Sequence, residues 1–236
     1  MTIPHTAPPP AAVKKPTTAS EPATPAGGKL PSLGEPRWPA LVAIVTTGLV
    51  YAALPRSLSM GPGWLLIIVV TVLEIPSLVA HYRGLTRLHR VLGFVVSGVL
   101  TLFLIWSLAL LLASLPGHRE PPVTMLRSAA CLWVSNVITF ALWYWRLDAG
   151  GPYARAGRAH DVPYAAFLFP QLTLKHPADW SPHFVDYLFI AFNTSTALSP
   201  TDSPVLNRWA KILTMIQSMI SLTVIALLLA RAVNIL

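Results

Sequence analysis

Apolar residues are collected into long runs along this chain, with short polar or proline-containing stretches between them. The five clearest runs are 38–54, 64–80, 91–115, 123–147 and about 204–236. As helices rising about 1.5 Å per residue, they can cross a hydrocarbon core about 30 Å thick, although the first two are short. With a weaker run at 184–198, the pattern predicts an all-α fold, a polytopic integral membrane helical bundle with about six hydrophobic segments.

The weaker run, 184–198, is apolar on balance but contains Asp186, Asn193, Thr194 and Thr196. A helix of about 15 residues reaches roughly 22 Å, which is too short to cross the core unaided. Irregular or short segments at membrane depth are tolerated where neighbouring helices shield them from lipid. The sequence therefore leaves two alternatives, a short spanning helix and a re-entrant half-helix.

The distribution of lysine and arginine separates these alternatives. Six crossings with the N-terminus inside place twelve of the 17 basic residues on the cytoplasmic side. If 184–198 re-enters from outside, only four remain there. Cytoplasmic loops carry an excess of Lys and Arg, so the count favours six crossings with both ends of the chain in the cytoplasm.

Composition supports a location in lipid. The chain is 54% hydrophobic and 11% charged, whereas a soluble domain carries roughly 25% charged residues. The net charge of +8 does not indicate a nucleic-acid partner, because most basic residues flank apolar runs, where they orient helices and contact lipid headgroups. We expect the lipid bilayer as the partner; the oligomeric state, including a homo-oligomer, stays open.

The first 37 residues form a separate region that holds nine of the 23 prolines. Such a stretch buries too little apolar surface to offset its ordering entropy, so a disordered or polyproline-like tail is predicted for 1–37. It has no apolar stretch followed by a small-residue cleavage site, which argues against a secretory signal. The membrane domain is therefore predicted for residues 38–236, behind a cytoplasmic tail.

Glu74 stands near the middle of the second apolar run, two residues before Pro76. A carboxylate at mid-bilayer costs about 2.5–3.5 kcal/mol on insertion scales for comparable charges, so it usually faces a bundle interior, a cavity or a partner. Pro76 also leaves the carbonyl of Val72 without its helical hydrogen bond. One interpretation is a proton or cation site; the other is a protonated carboxyl that only helps helices to pack.

The fourth run carries small polar residues on one helical face. Ser128, Cys131, Ser135 and Thr139 recur at spacings of three and four, with Asn136 beside them. This face is either a polar lining that meets Glu74 or a helix–helix contact made by small and hydrogen-bonding residues.

The segment 193–204 is the most distinctive in the chain. It contains Asn193, Thr194, Thr196 and Asp202, and it ends in Ser203-Pro204, a strong helix start with serine as the N-cap. Unwound polar backbone in front of a spanning helix builds ion sites in channels and transporters. The alternative is a capped turn between two helices.

Catalytic and metal-binding patterns are missing from the sequence. There is no Ser-His-Asp order, phosphate-binding glycine loop or CxxC pair, so we expect neither an enzyme nor a cofactor. His176, Asp179 and His183 do not match the spacing of a helical zinc motif, and no metal site is predicted.

The last hundred residues resemble an uncharacterised family of bacterial inner-membrane proteins. The resemblance rests on Trp143 to Asp148, Asp186-Tyr187-Leu188-Phe189, Ala191-Phe192, Ser199-Pro200-Thr201-Asp202, Arg208, Gln217-Ser218 and the ending Ala232 to Leu236. The family implies a location, the bacterial inner membrane, and no activity.

Residues 184–234 also resemble, more distantly, the pore helix, filter and inner helix of tetrameric cation channels. Aligning Asp202 with the aspartate that follows such a filter places Thr196 on the filter threonine. The filter glycines then fall on Ser199 and Thr201, whose backbone cannot adopt the conformations that a selective filter needs. A working potassium filter is not expected.

These observations favour permeation or transport of a small ion or solute over a non-transporting scaffold or accessory subunit. The candidate lining residues are Glu74, Ser128, Ser135, Asn136, Thr139, Asn193, Thr194, Thr196 and Asp202.

Overall fold

Seven α-helices make up most of the computed structural model, which describes residues 38–114, 121–156, 165–173, 180–196 and 203–233. They are α1 (Trp38–Ala52), α2 (Leu65–Tyr82), α3 (Thr86–Ser114), α4 (Pro122–Leu147), α5 (Pro152–Ala156), α6 (Phe184–Thr196) and α7 (Arg208–Val233). Within these ranges there is no strand, only an isolated bridge between Phe167 and Val205. The all-helical prediction is confirmed. The predicted tail, 1–37, lies outside the described residues.

Among the described residues, three helices are long and apolar enough to cross a membrane. They cover Thr86–Ser114, Val123–Gly150 and Arg208–Ala230. The helices at Ala40–Ala52 and Leu65–Ala80 are apolar but shorter. The first two runs are thus short helices, as their length in the sequence suggested, and α3 begins five residues before the predicted start at Val91.

A glycine turn makes α2 and α3 an antiparallel pair. Gly84 lies between them at φ 70°, a left-handed conformation that glycine adopts without steric cost. The amide of Leu85 donates to the carbonyl of Ala80, 2.9 Å away, which closes the end of α2. The chain then reverses into α3.

The central helix is α4, which packs against α1, α3, α6 and α7. Its buried side chains include Phe140, Ala141, Leu142 and Tyr144, each at most 1% exposed. Helices that are apolar all round belong in a core or in lipid. Since α4 is enclosed by four neighbours, its buried polar residues face other helices.

The short helix α6 runs antiparallel to α4. Its first residue, Phe184, packs edge-to-face on Trp145 near the end of α4, with ring centres 6.0 Å apart. Near its other end, the carbonyl of Ser195 accepts a hydrogen bond from the indole of Trp133, 3.4 Å away. The direction of α6 is therefore opposite to that of α4.

The final helix, α7, runs in the same direction as α6. At its start, Trp209 packs on Phe167, which in turn packs on Tyr187 in the second turn of α6. Two turns further along, the Gln217 amide donates to the carbonyl of Ala191 at 2.7 Å. Both helices therefore begin at the end of the bundle where α4 finishes.

Six alternating crossings require α6 and α7 to run in opposite directions, whereas the two helices run in the same direction in the structure; the number of crossings stays a prediction. The count of basic residues compares the loops on the two sides of the membrane. It does not detect a segment that turns back within the bundle. The charge comparison also considered re-entry from outside only. The parallel directions of α6 and α7 favour the re-entrant alternative for 184–198, which stays a prediction.

The segment in front of α7 is extended and not helical. Ser203 and Pro204 were predicted to start the last helix, but α7 begins at Arg208. The Leu168 amide donates to the Pro204 carbonyl at 3.0 Å, and the Leu206 amide donates to the Ala166 carbonyl at 2.7 Å. Pairing with residues 165–169 satisfies these backbone groups and overrides the local helix-start signal.

Candidate functional site

Glu74 and Arg146 form an ion pair inside the bundle. Arg146 Nη2 lies 3.5 Å from Glu74 Oε1, and the two side chains are 11% and 17% exposed. Glu74 is in the second half of α2, and Arg146 is one residue from the end of α4. A buried carboxylate without a counter-charge is strongly destabilising, so Arg146 makes Glu74 tolerable where it stands.

Gly93 on α3 provides the space for the Arg146 guanidinium. A Cβ at position 93 would lie 1.8 Å from Arg146 Nη1, well inside van der Waals contact. At Gly98, on the same helix, an added Cβ would meet nothing within 4 Å. The absence of a side chain at position 93 therefore lets the arginine lie across α3 and reach α2.

The ion pair borders a cavity of about 60 Å³ between the first four helices. One molecule of water needs roughly 10–15 Å³ of such space, so a few waters or a small polyatomic ion fit. The lining side chains come from the start of α1, the second half of α2, the start of α3 and the end of α4; they include Leu41, Ile44, Glu74, Ser77, Leu78, His89, Arg90, Phe94, Trp145 and Arg146. We call this end of the bundle the cavity end.

A hydrogen-bonded pair forms one wall of the cavity. His89 Nδ1 lies 3.0 Å from the Ser77 hydroxyl and 2.9 Å from the Ser77 carbonyl. These contacts join α2 to α3 beside Arg90, which lines the same cavity. The polar part of the cavity is thus assembled from three helices and is held by contacts between them.

A second polar cluster lies between α4, α6 and α7, and Gln217 is at its centre. Tyr144 donates to Gln217 Oε1, and Gln217 Nε2 donates to Ser195 Oγ at 2.7 Å. The Asn136 amide donates to Ser221 Oγ at 2.8 Å. All five side chains are 5% exposed or less. Because these bonds run between helices, the cluster fixes how the three helices pack.

A third cluster is built on Asp148 at the end of α4. The carboxylate accepts hydrogen bonds from the Tyr187 hydroxyl and from the Ala166 amide, both at 2.5 Å. Arg155 donates to the carbonyls of Trp145 and Asp148 and lies over the Tyr187 ring at 5.0 Å. Asp148 thereby ties α6 and the segment 165–169 to α4.

The candidate residues of α4 do not form a lining that meets Glu74. Within the described ranges, no hydrogen bond joins Glu74 to Ser128, Ser135, Asn136 or Thr139. Ser128 bonds back to the Thr124 carbonyl at 2.8 Å, and Asn136 faces α7. Ser135 and Thr139 are buried. The helix-contact interpretation of this face fits Asn136, and none of these four residues lines the cavity beside Glu74.

The candidates in 193–202 are divided between α6 and a part of the chain that is not described. Thr194 and Thr196 bond to carbonyls of their own helix, those of Ile190 and Phe192. Asn193 is half-buried near the end of α6. Asp202 lies outside the described residues.

Sequence reasoning missed Arg146, which is not among the candidate lining residues. A signal was present in Gly93, a residue without a side chain in the third apolar run. Gly93 makes room for the long charged side chain of Arg146. Arg146 is far from Glu74 along the chain, so the sequence does not reveal that the two residues pair. Among the described residues, no group of three or more His, Cys, Asp or Glu could hold a metal ion.

Comparison with known proteins gives no relative from which a function could be transferred: no family model, curated protein or solved structure matches this chain.

Proposed function

We propose that this chain is a multi-pass protein of the bacterial inner membrane that moves a small ion or solute through the cavity beside Glu74 and Arg146. One observation carries the proposal: a largely buried ion pair borders a cavity between apolar helices. Intramembrane ionisable residues are expensive and commonly mark substrate or ion pathways. Helix packing alone needs neither the charges nor the space.

The proposed topology has five crossings, by α1, α2, α3, α4 and α7, with α6 as a re-entrant helix. The basic residues support an orientation for it. Seven of the ten Lys and Arg among the described residues belong to the cavity end: Arg83, Arg87, Arg90, Arg146, Arg155, Arg208 and Lys211. Arg56, Arg127 and Arg231 belong to the opposite end. By the positive-inside rule, the cavity end faces the cytoplasm, as does the start of α1.

This orientation makes α6 enter from the cytoplasmic side. In the channel pore module that the sequence resembles, the pore helix was expected to enter from outside. The five-crossing arrangement keeps the strong positive bias that favoured six crossings, because turning α6 back moves Arg208 and Lys211 to the cytoplasm and only Arg231 to the other side. The five-crossing arrangement is therefore compatible both with the distribution of basic residues and with the directions of α6 and α7.

The test is flux through the purified full-length protein in liposomes, under gradients of potassium, sodium, chloride, phosphate or acetate. Glu74→Gln removes the charge that holds Arg146 and should reduce flux at least tenfold while the protein remains folded. Thr71→Val is the matched control, because Thr71 is an exposed residue of α2 that bonds only to the Ile67 carbonyl. Equal flux in Glu74→Gln and the wild type would refute the site.

A second candidate is a non-transporting scaffold or accessory subunit. It is favoured by the cluster around Gln217, where the polar groups of Tyr144, Ser195 and Gln217 bond to one another between helices. If the folded protein shows no flux under any of the ion gradients above, this candidate is favoured.

A further inference from the structure

Positive charge exceeds negative charge around the cavity. Arg90 and Arg146 line it together with a single acidic side chain, that of Glu74. His89 also lines the cavity. Taking histidine as neutral, the lining residues carry one net positive charge, and an anion placed here would balance it. A cation would instead be repelled by both guanidinium groups.

The contact between Arg146 Nη2 and Glu74 Oε1 is a long one. At 3.5 Å it is longer than the roughly 2.7–2.9 Å of a charge-assisted hydrogen bond. Glu74 Oε1 is buried and has no hydrogen-bond partner among the described residues. The carboxylate therefore neutralises Arg146 without a short charge-assisted hydrogen bond between Nη2 and Oε1. An arginine fork has five N–H donors and suits carboxylates and phosphates in particular.

The rest of the lining is apolar. Leu41, Ile44, Leu78 and Phe94 border the cavity beside the polar groups. Apolar walls lower the local dielectric and strengthen an ionic contact that forms between them. They also exclude water from one side of a bound anion and could contact a hydrocarbon chain attached to it.

We infer that the cavity binds an anionic group, a phosphate or a carboxylate, between Arg90 and Arg146. The group is carried either by a small solute or by the headgroup of an anionic lipid, since basic pockets between helices on the cytoplasmic side bind such headgroups. The inference rests on the proposed function, because it names the substrate class of the same cavity. Gly93 is a specificity-determining position, since it sets where the Arg146 guanidinium lies.

Binding is measured on the full-length protein in nanodiscs of phosphatidylcholine. Inorganic phosphate and acetate are titrated in one arm, with calorimetry and the fluorescence of tryptophan, including Trp145 on the cavity wall, as readouts. In the other arm, phosphatidylglycerol is titrated against phosphatidylcholine, and retained lipid is counted by native mass spectrometry. Saturable binding of the soluble anions indicates a solute; selective retention of phosphatidylglycerol indicates a headgroup. If neither the soluble anions nor phosphatidylglycerol bind, the inference is overturned.

Two variants locate the site. Gly93→Ala pushes the end of the Arg146 side chain aside and should weaken anion binding at least tenfold, whereas Gly98→Ala on the same helix should leave it unchanged. Arg90→Gln alters an exposed side chain, so it tests the site without risk to folding, and it should weaken binding by a similar factor. Undiminished binding in both Gly93→Ala and Arg90→Gln would contradict the assignment.

The inference and the proposed function fail in different ways. Saturable anion binding without flux of any ion would remove transport and leave the anion site in place. Flux of a cation with no binding of phosphate, acetate or phosphatidylglycerol would keep transport and remove the anion site.

Discussion

Gln217 shows how one side chain can fix the positions of three helices. It accepts from Tyr144 on α4 and donates to Ser195 Oγ and the Ala191 carbonyl on α6, and it is fully buried. An amide can donate twice and accept at its oxygen, and here both ends are used. Removing the amide leaves several buried polar groups without partners.

We therefore expect Gln217→Leu to destabilise the protein by about 1–3 kcal/mol, the range for a buried polar group that loses its partner. Ser218→Ala is the neighbouring control, because Ser218 is exposed and its bond to the Thr194 carbonyl is 3.5 Å long. Unfolding in detergent, followed by tryptophan fluorescence, measures both. Equal stability of the two variants would show that the cluster does not hold the helices.

At single residues, some features could be predicted from the local sequence, and contacts between residues far apart in the chain could not. The burial of Asn136 and Ser135 could be predicted, since small polar residues on one helical face usually meet another helix. The pairing of Glu74 with Arg146 could not, because the two residues are far apart in the chain and no local pattern marks which loop arginine turns inward.

At the scale of secondary-structure elements, the apolar runs predicted where the helices lie. The ends of the helices differ from the prediction by a few residues. The direction of α6 is a different kind of property. A short amphipathic run has the same composition whether it crosses or returns, so its direction is decided by contacts such as those of Phe184 and Ser195 with α4. The same holds for Ser203-Pro204, where pairing with residues 165–169 replaced the expected helix start.

The extended segment before α7 can be tested through one backbone donor. Leu206→Pro removes the amide that bonds to the Ala166 carbonyl and should destabilise the protein by about 1–3 kcal/mol. Leu206→Ala keeps that amide and changes only a side chain that is 42% exposed, so a smaller effect is expected. Thermal unfolding, read by tryptophan fluorescence, compares them. Equal losses would assign the effect to the side chain.

For the whole molecule, the parallel directions of α6 and α7 determine which surfaces face the same compartment. Cysteines are placed at His183, before α6, at Pro204, before α7, and at Ser57, at the opposite end, in a Cys131→Ala background. A membrane-impermeant maleimide should label the first two from the cytoplasmic side and the third from the other side. Labelling of positions 183 and 204 from opposite sides would restore six crossings.

The space above Gly93 also has an evolutionary consequence. Positions 93 and 146 lie on different helices, yet the first can hold a methyl group only if the arginine at the second moves. Among descendants of a common ancestor, the two sites should change together: lineages that keep arginine at 146 should favour glycine at 93, and lineages that lose it should lose that preference.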